Sequence, residues 1–203
     1  MTTAAWSGVD EAYLRAYQWS AALAAGAALP QVASPVALGP GEVAHAQLAP
    51  VTFAGYFGED ASYRRSFLLF GGPVGLAVTG AASLAYNANK KAEAQRASIP
   101  RWHDLGAGAV LVTSQRIVLM LENGPHPVSY ADAGRLEWGN ARAGGPAVRL
   151  QPAGMPPLLL ESPWAPLAYV FVHRIVDGTP PGVPMPGGLL ERAEAEGRLR
   201  ARA

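Results

Sequence analysis

Short apolar stretches, separated by turn residues, fill the second half of the chain and predict β-strands. Residues 109–113 and 116–121 are rich in Val, Leu and Ile, and they flank a Ser-Gln dipeptide, which predicts an antiparallel hairpin with a tight turn. Earlier, residues 42–54 alternate loosely between apolar and polar side chains and predict a first strand. Four more strands are predicted between Gly, Asn and Pro residues, over 127–130, 135–138, 147–150 and 158–161. The pattern therefore predicts about seven strands.

An amphipathic helix is predicted directly after the last strand. Ser162 offers an N-cap, Pro163 occupies the first helical position and Gly178 ends the helix. Between them one apolar stripe has helical spacing, and it comprises Trp164, Leu167, Ala168, Phe171, Val172 and Ile175. Pro166, His173 and Asp177 fall on the opposite, exposed face. The stripe predicts that this helix packs on the strands.

A second helix and two linkers are predicted outside the strands. Residues 10–29 have helical periodicity, with Asp10 as the cap and Pro30 as the stop. Residues 30–41 hold three prolines and two glycines and predict a linker. These features divide the chain into an N-terminal helix with its linker, a central domain, and a Pro/Gly linker with a charged tail or short helix, over 1–40, 41–178 and 179–203.

The connection between the first two strands, residues 56–101, contains an apolar stretch without charge over residues 66–89. About 20 apolar residues suffice to cross a bilayer, but Gly and Pro dilute this stretch and basic residues stand at both of its ends. If the first strand pairs with the later ones, both ends also lie on one side of a membrane. The sequence thus predicts a helical insertion that does not span.

Two interpretations of this insertion stay open. In one, it covers an apolar face of the strands or of a partner subunit. In the other, it dips into a membrane, and basic residues on either side hold anionic lipid headgroups. Those basic residues are Arg64, Arg65, Lys90, Lys91, Arg96 and Arg101.

The hairpin sequence AVLVTSQRIVL, residues 109–119, resembles a strand pair of bacterial PH-like and GRAM-like proteins that contains the pattern T-x-x-R. The sequence Gly41-Glu42-Val43 is similar to their entry into the first strand, and Trp102 stands where many of them carry tryptophan. The resemblance covers about residues 41–178. It implies an α+β fold of the pleckstrin-homology-like class, a partly open antiparallel barrel of about seven strands capped by the C-terminal helix.

The resemblance also implies a function. PH-like folds commonly accept peptides by strand addition along the edge strand beside the C-terminal helix. The expected role is a non-catalytic module that binds a protein partner or itself, and the N-terminal helix is an alternative occupant in cis. The alternative function is peripheral binding of anionic lipid through residues 64–96. The predicted groove residues are Arg135, Trp138, Trp164, Tyr169, Val170 and Val176.

Composition removes several kinds of chemistry from consideration. The net charge of +1 gives no overall field that favours nucleic acid, and the absence of cysteine excludes disulfides and thiolate catalysis. Four histidines lie far apart in sequence, and no metal, phosphate-loop or nucleophile motif occurs. We therefore expect no enzyme activity, cofactor or metal. The first residues lack a secretory signal, so the expected location is cytoplasmic, with peripheral contact to the inner membrane face as the alternative.

Overall fold

The protein is described by a computed structural model over residues 5–58, 99–132, 134–153 and 155–199. Within these ranges it is an α+β protein with three helices and one open antiparallel sheet of seven strands. Residues 59–98, which contain most of the predicted helical insertion, lie outside the described ranges. The elements in chain order are α1 (Gly8–Ala24), β1 (Ala44–Phe57), β2 (Arg101–Thr113), β3 (Arg116–Leu121), β4 (Gly124–Ser129), β5 (Arg135–Asn140), β6 (Pro146–Gln151), β7 (Leu158–Glu161), α2 (Ala165–Val176) and α3 (Leu189–Ala195).

The strand order in the sheet is β4-β3-β2-β1-β7-β6-β5, and each neighbouring pair is antiparallel. The central strand, β1, pairs with β2 along its length but with β7 only between Thr52 and Gly55. The strand that precedes residues 59–98 therefore shares a sheet with the strands that follow them, which confirms the predicted pairing. β4 and β5 are the two edge strands.

The bounds of β3 and β7 agree with the sequence pattern, whereas β2 begins at Arg101 and not at residue 109. Gly108 lies within the strand, and it is glycine because a Cβ there would approach the Met120 carbonyl oxygen to 1.9 Å. Cross-strand aromatic contacts support the extension. Trp102 contacts Tyr56 with ring centroids 5.2 Å apart, which also accounts for the later end of β1.

α1 differs from the prediction at both ends. Its N-cap is Ser7, whose hydroxyl accepts a hydrogen bond from the Asp10 backbone N–H, while the Asp10 carboxylate accepts one from the Ser7 N–H, both at 3.0 Å. Asp10 is thus the third residue of the helix and not its cap. The helix ends at Ala24, well before Pro30, and Gly26 follows with a φ of +92°.

α2 packs between the sheet and α1. The predicted apolar stripe faces the sheet, and Phe171 is buried in the main core with Phe53 and Leu160. The outer face of α2 carries Pro166, which is buried although the sequence placed it on an exposed face. The reason is that α1 covers this side of the helix, a long-range contact that periodicity cannot reveal.

The start of α2 is also corrected. Its N-cap is Trp164, so Ser162 and Pro163 precede the helix. The Ser162 hydroxyl nevertheless accepts a hydrogen bond from the Trp164 backbone N–H at 3.1 Å and donates one to the Pro50 carbonyl at 2.7 Å. Ser162 therefore joins the beginning of the helix to the central strand.

Both predicted linker regions pack against the sheet or α1. Val36 and Leu38 cover Leu111 on the side of the sheet opposite the main core. At the other end of the chain, α3 packs near α1, and Arg192 and Arg198 lie 4.4 and 4.2 Å from the ring centroid of Trp6. The N-terminal helix, the sheet and the C-terminal tail are thus in mutual contact across the described residues.

No helix in the described ranges combines the length and the apolar character that a membrane crossing requires.

Candidate functional site

A cleft of about 570 Å³ lies between the edge strand β5 and the C-terminal half of α2. We name it the β5–α2 cleft. Its size falls in the range of ligand-binding clefts. The lining of this cleft includes Leu136, Glu137, Trp138, Tyr169, His173 and Val176.

The structure brings together only part of the predicted groove. Trp138, Tyr169 and Val176 line the cleft. Val170, expected to extend an apolar surface, is 0% exposed because it lies in the core beneath α1. Trp164 lies at the opposite end of α2, about 18 Å along the helix from Val176 at 1.5 Å per residue. Arg135 begins β5, and its side chain lies outside the described part of the chain.

Aromatic side chains form one wall of the cleft. The Trp138 ring lies 5.5 Å from that of Tyr169 in an edge-on arrangement, and Tyr169 lies 4.4 Å from the ring of His173. On the other side, Tyr13 of α1 contacts Trp138 at 5.8 Å. α1 therefore packs beside the cleft, and none of its residues lines it.

The C-terminal end of α2 places a polar pair in this wall. His173 Nδ1 hydrogen-bonds the carboxylate of Asp177, one helical turn later. The sequence predicted an exposed His173, yet its side chain is only 22% exposed. Its Nε2 is buried and has no hydrogen-bond partner in the described part of the chain. A buried polar atom without a partner is uncommon in folded proteins, and this one belongs to a residue that lines the cleft.

The charges at the cleft are acidic. Glu137 and Asp177 both line it, and their side chains are 40% and 50% exposed. Arg149 lies 4.0 Å from Glu137, at the limit of an ion pair. Asp177 is bound by His173 and Glu137 lies near Arg149, and the two carboxylates make the lining of the cleft acidic.

The two edges of the sheet differ in their capacity to accept another strand. On β4, Pro125 and Pro127 stand opposite Met120 and Val118 of β3. Proline has no N–H, so the ladder bonds from β4 to β3 come from the residues between the prolines, and the outer side of β4 lacks two donors. β5 contains no proline, and no described strand pairs with its outer side. β5 is therefore the edge suited to strand addition.

The residues of the T-x-x-R pattern lie elsewhere, in a buried corner. The Glu42 carboxylate accepts hydrogen bonds from the Thr113 hydroxyl at 2.6 Å and from Arg116 Nε and Nη2 at 2.9 Å each. The partner of Arg116 is thus a carboxylate that precedes β1. The pattern and the Gly-Glu entry thus meet in one structural cluster.

A second ionic cluster joins β2, β7 and the loop after β5, and no sequence pattern indicated it. Arg142 binds Glu161 through Nε and Nη2 and also pairs with Asp104. The hydrogen bond from Arg142 lowers the pKa of Glu161. His103 is next to Asp104 in sequence but hydrogen-bonds the Phe57 carbonyl, at 3.0 Å. Only the folded sheet brings these residues together, because 57 positions separate Asp104 from Glu161.

The predicted lipid-contact residues are mostly beyond what the structure describes. Five of them, Arg64, Arg65, Lys90, Lys91 and Arg96, lie outside the described residues, whereas Arg101 is exposed at the start of β2. Within the described ranges no three or more His, Asp or Glu side chains are grouped as metal ligands.

The chain was compared with protein-family models, with curated proteins and with solved structures. Nothing matches. The function is therefore argued from the cleft and its residues alone.

Proposed function

We propose that the chain is a non-catalytic PH-like interaction module that binds an extended segment of a partner protein in the β5–α2 cleft. The strand order, with β1 at the centre and a helix packed on one face, supports a PH-like fold. The observation that carries the function is the open edge of β5 beside an aromatic cleft.

Binding would combine two kinds of contact. The backbone of the partner segment would pair with the outer side of β5, which supplies affinity without demanding a particular sequence. Every second side chain would then face the cleft. An apolar side chain would contact Trp138, Tyr169 and Val176, and a basic one would lie near Glu137 and Asp177. Trp and Tyr are the residue types that most often dominate binding energy at interfaces.

Self-association is the alternative occupant of the same edge. Two copies could pair β5 with β5 antiparallel around a two-fold axis. Light scattering of the purified full chain separates the two cases, because pairing of copies gives a dimer whose fraction rises with concentration. Deleting residues 1–40 is unsuitable here, since α1 buries core residues such as Leu14 and Ala16.

The test is selection of displayed random dodecapeptides on the full chain, followed by affinity measurement with labelled peptides. We expect enriched peptides to alternate apolar positions and to contain Lys or Arg, with NMR shifts confined to β5 and α2. Val176→Lys, at an exposed position, should weaken binding at least about ten-fold because it places a charge in the apolar contact and repels a basic side chain of the peptide.

The matched control is Ile99→Lys, since Ile99 is also apolar and exposed but lies outside the cleft. It should leave the affinity unchanged. Failure to select any peptide, together with a monomeric chain, would contradict the proposal. The same holds if the shifts fall on other elements. The lipid alternative depends on residues outside the described ranges and stays a prediction.

A further inference from the structure

A second cleft, of about 400 Å³, lies on the other side of α2, where α1, the first half of β1 and the N-terminal end of α2 meet. We name it the α1–β1 cleft. It shares no lining residue with the β5–α2 cleft. The lining of this cleft includes Arg15, Trp19, Val32, His45, Trp164 and Phe171.

The apolar part of this cleft is built from aromatic rings. Trp19 of α1 meets Phe171 of α2 edge-on, with ring centroids 5.4 Å apart. Trp164 continues this wall towards the surface. Val32, at the mouth, is one of the four exposed large apolar residues in the described chain. Such a wall favours a ligand with an apolar body.

The first half of β1 adds an unpaired strand edge. β7 joins β1 only from Thr52, because the chain turns into α2 after Ser162. On the other side of this gap, the Val32 N–H donates to the Ala44 carbonyl at 2.9 Å. Between these points, residues 46–49 line the cleft. β2 pairs with one side of this segment, and no described strand pairs with the other side. Its outward backbone groups are available to a polar ligand group.

Two side chains determine which polar group fits. Arg15 lies over the ring of Trp164, 5.8 Å from its centroid, and it is the only charged residue that lines the cleft in the described chain. Its nearest carboxylate, Glu11, lies 3.8 Å away and is bound more closely by Arg198 at 2.7 Å. The Arg15 side chain is 59% exposed and its guanidinium has further N–H donors, so it can contact an anion in addition to Glu11.

His45 supplies the second polar group. It is 9% exposed, and its Nδ1 lies 2.7 Å from the Pro30 carbonyl oxygen. Because a carbonyl oxygen only accepts, Nδ1 carries a proton, so in the neutral ring Nε2 is an acceptor that suits a donor such as a hydroxyl and leaves a carboxylate to Arg15. No described residue hydrogen-bonds Nε2.

From this geometry we infer that the α1–β1 cleft binds a small amphiphilic carboxylate. Its apolar body lies against Trp19, Trp164 and Phe171, and its carboxylate is held by Arg15 at the mouth. The two clefts differ in charge, since carboxylates line the β5–α2 cleft and a guanidinium lines the α1–β1 cleft. They should therefore bind different classes of ligand. The inference is independent of the proposed peptide binding.

The test uses three eight-carbon probes that differ only in the polar group, namely octanoate, 1-octanol and octylammonium. Tryptophan fluorescence of the full chain reports binding, because Trp19 and Trp164 line the cleft. We expect octanoate to bind saturably with a Kd on the order of 1 mM or below, and octylammonium to bind at least about ten-fold more weakly.

Variants then locate the site. Arg15→Gln should weaken octanoate binding about five-fold, since one exposed charge-assisted contact is lost. At the exposed mouth, Val32→Glu should weaken it and Val32→Lys should strengthen it. Arg174→Gln is the control, because Arg174 lies on α2 but lines neither cleft. Circular dichroism of each variant checks folding.

Two results would overturn the inference. One is equal affinity for octanoate and octylammonium. The other is octanoate binding that Arg15→Gln and both Val32 variants leave unchanged, since the anion would then be bound elsewhere.

Discussion

Arg116 binds the buried carboxylate of Glu42 with both Nε and Nη2, each 2.9 Å from a different oxygen. Glu42 precedes β1 and Arg116 begins β3, so the pair joins the entry of the central strand to the far side of β2. Burial by itself would raise the pKa of Glu42, but hydrogen bonds from Gly39, Thr113 and Arg116 together lower it. The pair is therefore a structural element of the sheet.

The stability of the fold should depend on this carboxylate. Glu42→Gln leaves Arg116 without its charged partner, and we expect it to lower the free energy of unfolding by about 2–3 kcal/mol. Urea denaturation at pH 7 measures the change. The control is Glu122→Gln, an exposed glutamate that should alter stability by less than about 0.5 kcal/mol. Equal, small effects of both substitutions would refute this role of the ion pair.

Stability should also fall in acid. The pKa values of Glu42 and Glu161 are both lowered in the folded protein. A lowered folded pKa contributes stability that is fully present above the unfolded value of about 4.3 and is lost as the pH falls through the folded value. Urea midpoints measured from pH 7 to pH 3 should thus decrease mainly below about pH 4.5. Replacing both residues by Gln should flatten that decrease, and an unchanged slope would contradict the assignment.

Gly108 should be irreplaceable in β2, although it lies in an ordinary strand pair. A Cβ at this position would meet the backbone of Met120, which cannot move without separating β2 from β3. We expect Gly108→Ala to cost more than about 2 kcal/mol of unfolding free energy. Gly139→Ala is the matched control, since a Cβ at that strand position meets nothing within 4 Å. Thermal unfolding of the two variants should differ clearly, and similar midpoints would show that β2 and β3 adapt.

The sequence predicted most of what depends on local pattern. The strands β3 and β7 and the apolar stripe of α2 follow directly from spacing, and the resemblance to PH-like proteins placed Trp138, Tyr169 and Val176 at one groove. Sequence spacing alone could also have predicted one polar pair of the β5–α2 cleft. An i, i+4 pair of His173 and Asp177 near a helix end is a signal for a local hydrogen bond.

The remaining features depend on contacts between distant segments. Val170 was assigned to the surface because nothing in the sequence shows that α1 packs over α2. The α1–β1 cleft was missed for the same reason, since its wall combines residues from positions 15 to 171. The predicted strand began at residue 109, so Gly108 lay outside it, because the close approach of Met120 that requires glycine there depends on the pairing of β2 with β3.

The C-terminal tail should stabilise α1, which lines the α1–β1 cleft. Trp6 is contacted by the guanidinium groups of Arg192 and Arg198, and Arg198 also binds Glu11 at 2.7 Å. Cation–π contacts at exposed sites contribute about 0.5–1 kcal/mol each. We expect Trp6→Ala to release α3 and to increase amide hydrogen exchange in both α3 and the first turns of α1, with a loss of about 1–2 kcal/mol in unfolding free energy.

Val183→Ala is the comparison for this last experiment, because Val183 lies in the same C-terminal region but packs on the main core and not on Trp6. It should lower global stability without a selective change in the exchange of α3. Faster exchange in α3 alone, with α1 unchanged, would mean that the tail binds α1 without supporting it. In that case the position of α1 would depend on its own buried residues, such as Leu14 and Ala16, and on the contacts of Tyr13 and Trp19 with the sheet and α2.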